Sequence, residues 1–274
     1  VAACFMGHKE AVIATVLTSL SYYFVDNFVF QYNQNTIMMP FWVASVYFFI
    51  TAINNNRLRD WVILSVVSFL AVMAKYESFL IIFSELLFLV FHFEKKYWRG
   101  MVISSCLFIL LLIPHVLYVY QHGYSTIYFA VNKSTVGQVN HLRVLLGAIF
   151  AQPLNYFLSV ILTVLFVVLG NATAMKPLRW KPDFSNPIVF LALFPWFIFI
   201  LLSLFVRTYA EWGFPILCLL VPAIFYQFTI KCDRIKKFVL IAMAMQILLF
   251  LTYLYALFIL PDRTTANRPS YELA

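Results

Sequence analysis

Apolar run follows apolar run along this chain, and each break between them is short and polar. A helix needs about 20 predominantly apolar residues to cross a bilayer. In hydrocarbon every backbone N–H and C=O must be paired within the segment or across a closed barrel, so long apolar runs of this kind become helices. Only 11% of the residues are charged and 64% are hydrophobic, against roughly 25% and 45–50% in soluble domains. A mean hydropathy of +0.89 agrees. The expected fold is an all-α, polytopic membrane helical bundle, a single transmembrane domain over residues 1–274. About nine spans are predicted, over 10–30, 36–53, 61–74, 78–93, 100–120, 142–169, 187–206, 212–230 and 238–260.

Charge sets the orientation. If the first span starts in the cytoplasm, thirteen of the 19 Lys and Arg residues fall at inner ends, in clusters such as Arg57 and Arg59, or Lys95, Lys96 and Arg99. Cytoplasmic loops carry such an excess, so the N-terminus is placed inside and the C-terminus outside. The net charge of +8 is therefore spent between apolar runs and not on one soluble face, which argues against nucleic acid as a partner. The chain opens at Val1 inside a hydrophobic pattern with no signal-peptide layout, and we expect it to be a piece whose earlier spans lie upstream. Cys4, Cys106, Cys218 and Cys232 fit no zinc spacing and read as small apolar filler. The sequons at Asn132 and Asn171 read as chance occurrences.

Few cations remain for the outer side, and two stand out. Lys75 ends a span of only about fifteen residues beside Tyr76 and Glu77. A short span leaves its end within the polar boundary of the bilayer, where a lysine meets lipid phosphates or simply snorkels. Arg207 lies four residues before Glu211, as a self-neutralised pair or as an anion clamp. Asp26, Tyr32, Asn33, Gln34 and Asn35 form a polar outer loop. Its amides suit sugar hydroxyls and equally suit ordinary turns. Glu85 lies within the fourth predicted span. A carboxyl there is costly and marks function, or is protonated or paired within the bundle. His115 and His122 are seven apart near the end of the fifth predicted span, but a metal site needs three or four ligands, and no cofactor is assigned. Tyr118, Tyr120, Tyr124 and Tyr128 around them read as an interfacial belt. The chain has seven glycines and neither a P-loop nor a GxGxxG pattern, so a donor is expected to be carried by lipid and not by a nucleotide.

The stretches YNQNTIMMPFW (32–42), RLRDW (57–61) and FLAVMAKYESFL (69–80) resemble the bacterial membrane glycosyltransferases of the protein O-mannosyltransferase-like group, which includes the aminoarabinose transferase of lipid A. IPHVLYVYQHGYSTIYFA (113–130) and EWGFP (211–215) agree with the same pattern. The resemblance implies a C-type glycosyltransferase fold in the inner membrane, a polyprenyl-phosphate-linked sugar as donor, and a periplasmic active face. The acceptor it implies is a cell-envelope glycan, lipid or protein. Under it, Lys75 corresponds to the lysine that approaches the donor phosphate. Arg207 is expected as a second phosphate ligand on the strength of its own charge on the outer side. Asn33, Asn35, Tyr76 and Glu77 are expected near sugar or acceptor. Asn35 stands where many relatives carry an aspartate. The family's catalytic aspartate belongs to a first outer loop upstream of the residues that resemble it, so the isolated chain is expected to be inactive. A divalent metal is not implied. The competing class is a transporter or lipid flippase, which would show internal repeats with paired helix breaks, and the two halves show none.

Overall fold

The computed structural model describes residues 1–19, 34–125, 127–128, 132, 141–151, 181–205, 217–228, 244, 247–248, 251–252 and 255. Those residues form helices and short turns, with no strand among them. The α-helices are α1 (His8–Ser19), α2 (Gln34–Asn55), α3 (Leu58–Ala74), α4 (Phe79–Phe91), α5 (Trp98–Gln121), α6 (His141–Leu146), α7 (Pro187–Ser203) and α8 (Leu220–Phe228). Among the described residues, two stretches, Gln34–Asn55 and Lys95–Gln121, are long and apolar enough to cross a membrane. Pro187–Ser203 is apolar but shorter. The second to fifth predicted spans and the seventh match helices to within a few residues. Most of the sixth and ninth lie outside the described residues.

α3 lies between α2 and α5, antiparallel to α2 and parallel to α5. On α3 the buried positions Trp61, Leu64, Ser65, Ser68, Ala71 and Val72 recur at three- and four-residue steps, one helical stripe. α2 answers with Asn35, Met38, Met39, Trp42, Ser45, Val46 and Phe49. Where α3 meets α5 the approach is close. Ser65 Oγ lies 2.9 Å from Ser104 Oγ, and Gly100 sits directly against the Trp61 indole. Small residues let helix backbones approach in this way when lipid removes the hydrophobic incentive to associate.

The α2–α3 turn depends on Asn56, which adopts φ 50°, a left-handed conformation that asparagine tolerates after a helix. Its Nδ2 donates to the Lys96 carbonyl at 2.9 Å, and its Oδ1 accepts from Trp61 Nε1 at 3.4 Å. This end of the bundle therefore gathers Arg57, Arg59, Lys95, Lys96 and Arg99, the cluster expected to face the cytoplasm.

α5 packs on α3 rather than on its chain neighbour α4. α4 turns instead to α7, through Phe88 and Phe190 with rings 5.4 Å apart. α7 starts with Asn186 accepting from Ile188 N at 3.0 Å and Pro187 in its first turn, a strong initiation signal. α8 packs on both α7 and α1.

Candidate functional site

The site lies at the opposite end of the bundle from the Asn56 turn. α3 stops because Lys75 is extended (φ −164°, ψ 132°), and a single 3-10 turn, Tyr76–Ser78, leads straight into α4. Ser78 Oγ donates to the Ala71 carbonyl at 2.9 Å and clamps the turn to the helix it leaves. Alternate side chains of so short a turn point to opposite sides. Lys75 and Glu77 reach towards α2, and Tyr76 reaches towards α5.

Lys75 Nζ donates to Asn35 Oδ1 at 2.6 Å and lies 2.8 Å from Glu77 Oε1. The Lys75 side chain is only 16% exposed and that of Glu77 20%. Asn35 is buried in the first turn of α2. A snorkelling lysine would run its stem along the apolar surface with its head in water. This one folds inward, because the buried stripe of α3 points at it and two polar partners wait there. An ammonium has three N–H donors, and Asn35 and Glu77 are its partners among the described residues.

On the other side, Tyr76 Oη lies 2.7 Å from His115 Nε2, with the rings 5.7 Å apart and tilted 55°. Burial pushes the Tyr76 phenol above its ordinary value, so it stays protonated and able to donate. His122 belongs elsewhere: it stacks on Tyr118 at 4.0 Å, and its Nδ1 lies 2.8 Å from the Tyr118 carbonyl oxygen. The two histidines therefore have separate partners. Among the described residues no group of three potential metal ligands occurs.

Below the turn, a cavity of about 630 Å³ separates α4 from α3 and α5. Phe79, Phe83, Leu86 and Ile109 line it and are also exposed on the outer surface of the helices, so it opens sideways between α4 and α5. Phe79 and Phe108 meet across its upper part with rings 6.4 Å apart. Its polar floor includes Glu85 and Ser68. Glu85 is buried and accepts from Ser45 Oγ at 2.9 Å, and Ser45 is 3.1 Å from Ser68 Oγ. Ser45 thus links Glu85 on α4 to Ser68 on α3.

Of the site residues predicted from sequence, Lys75, Asn35 and Glu77 come together in one contact group, and Tyr76 stands on the same turn facing away from them. Asn33 and Arg207, with Asp26 and Glu211, lie outside the described residues. The serines that hold Glu85 carried no sequence signal beyond being hydroxyls at buried helix positions. The cavity was not foreseen, since it arises from which helices pack and not from any motif. Cys4 and Cys106 are exposed, Cys218 is buried, and all three are free.

Residues 1–118 match the family model of dolichyl-phosphate-mannose-protein mannosyltransferases. The match spans the three stretches at 32–42, 57–61 and 69–80 and ends at Tyr118, so 211–215 falls beyond it. The match covers 118 of the 274 residues and makes that part of the chain similar to this mannosyltransferase family. No curated protein and no solved structure matches the chain.

Proposed function

We propose that this chain carries the donor-binding part of a glycosyltransferase that moves a sugar from a polyprenyl-phosphate carrier to a cell-envelope acceptor on the outer face of the membrane. The observation that carries the reading is Lys75. It is a largely buried ammonium, oriented by Asn35 and Glu77 at the end of a membrane helix, within the stretch that matches the mannosyltransferase family model. A transfer of this kind leaves a lipid phosphate behind, and a cation held in place before the reaction stabilises that leaving group. Glu77 and Asn35 fix the ammonium. The cavity between α4 and α5 suits the carrier's hydrocarbon chain, which would then run beneath the turn that holds its phosphate. Arg207 is proposed as a second phosphate ligand, and Asn33, Tyr76 and Glu77 as contacts to sugar or acceptor. The carboxylate that activates the acceptor is left unassigned.

The test is sugar transfer by the full-length protein against a panel of polyprenyl-phosphate sugars. Transfer from at least one of them, lost in Lys75→Ala, is the expected result. Transfer at the parent rate by a well-expressed Lys75→Ala would remove the phosphate role.

A further inference from the structure

The Tyr76–His115 contact has no part in the scheme above, yet it holds the turn that carries Lys75. Asn35, in the first turn of α2, holds Lys75 at the start of that turn. His115 draws its middle residue towards α5, by a 2.7 Å contact between groups 39 positions apart. Since α5 packs on α3 and not on α4, this polar contact and the Phe79–Phe108 ring contact are what join the two sides of the cavity at its outer end. His115 lies two helical turns beyond Phe108, on the same face of α5. Ionisable side chains in membrane helices are costly and are kept where they have a partner and a task.

Resting on the donor reading above, we propose that His115 is a positioning residue for the donor site, acting through Tyr76 on a phosphate or sugar oxygen of a lipid-linked sugar. Where Nε2 of His115 carries no hydrogen it accepts from the phenol, which leaves only the Tyr76 oxygen lone pairs for a ligand. Where Nε2 carries a hydrogen it donates to the phenol oxygen, and the Tyr76 O–H is released to donate to the ligand. The histidine thus decides whether Tyr76 meets the donor as an acceptor or as a donor. The titratable and charged groups on the elements packed about it are Lys75, Tyr76 and Glu77 on the turn, with Tyr118 and His122 on its own helix. The last two are occupied with each other.

The experiment uses the full-length protein, with KM for the polyprenyl-phosphate sugar and kcat measured for Tyr76→Phe, His115→Phe, His115→Gln and the Tyr76→Phe/His115→Phe pair. A neutral hydrogen bond is worth about 1 kcal/mol, so each single loss should raise KM about fivefold with a smaller effect on kcat. The pair should be no worse than the poorer single, because both remove one interaction. His115→Gln keeps a partner for the phenol and should recover most of the affinity. Multiplying effects in the pair, or a His115→Gln variant as poor as His115→Phe, would overturn the proposal. Lys75 separates this outcome from failure of the donor reading. If Lys75→Ala impairs transfer while the His115 variants behave as the parent, only the histidine's role is wrong. If Lys75→Ala is also silent, the donor site itself is wrong.

Discussion

Asn35 Oδ1 and Lys75 Nζ, 40 positions apart in sequence, meet at 2.6 Å where α2 begins and α3 ends. The amide can offer its oxygen to an ammonium without adding charge, and Glu77 supplies the compensating carboxylate from the other side. The resulting group is close to neutral, which makes its burial tolerable.

Removing that cation has a defined expected cost. A hydrogen bond to a charged group contributes about 1.5–3 kcal/mol, and each 1.36 kcal/mol is tenfold in rate. Lys75→Ala should therefore lower turnover or donor affinity by about one to two orders of magnitude. Lys75→Arg should retain part of the activity, since charge persists while shape changes. Unlike a lysine at a free surface, Lys75 holds Asn35 and Glu77, so Lys75→Ala should also lower the melting temperature in detergent by a few degrees. An unchanged melting temperature would show that the contact group does not hold the turn.

Gly100 allows a separate check on packing. A Cβ there would overlap the Trp61 indole, whereas a Cβ at Gly147 meets nothing within 4 Å. Overpacking typically costs about 1–3 kcal/mol. Gly100→Ala should destabilise the protein by that order in a detergent melt, and Gly147→Ala should leave it near the parent. Equal effects at the two positions would contradict the close α3–α5 approach.

Glu85 yields a prediction from chemistry alone. It is buried at membrane depth, with Ser45 donating to it. Glu85→Gln keeps an acceptor for Ser45 and should change stability by less than about 1 kcal/mol, whereas Glu85→Lys buries an ammonium among apolar side chains and should prevent accumulation of folded protein. Membrane-fraction yield after expression distinguishes them. A normal yield for Glu85→Lys would mean that this position faces water.

Orientation is checked by labelling from outside. In a cysteine-free background, a Cys introduced at Lys95 should resist an impermeant thiol reagent in intact cells, and one at His122 should react. The reverse pattern would invert the bundle.

Much of this was legible in the sequence. The helices follow from apolar run length, and the ends of α3 are marked by RLRDW and by Lys75 itself. What periodicity does not carry is pairing between helices. Asn35, Lys75, Tyr76 and His115 each drew notice as single residues. Their contacts depend on α3 lying between α2 and α5, which is set by Ser65, Ser104, Gly100 and Trp61 fitting together. The sideways opening arises likewise, because α4 gives its aromatic face to α7 and leaves α5 to α3.

That opening changes the units in which occupancy is counted. A hydrophobic molecule reaching a slot between two membrane helices arrives by diffusion in the plane of one leaflet, without passing through water. Its relevant abundance is then the mole fraction among neighbouring lipids, an effective concentration far above the amount per volume of cell. A protein built around such a slot has little need of tight binding. It gains more from a turn that recognises one headgroup among many than from added grip on the tail.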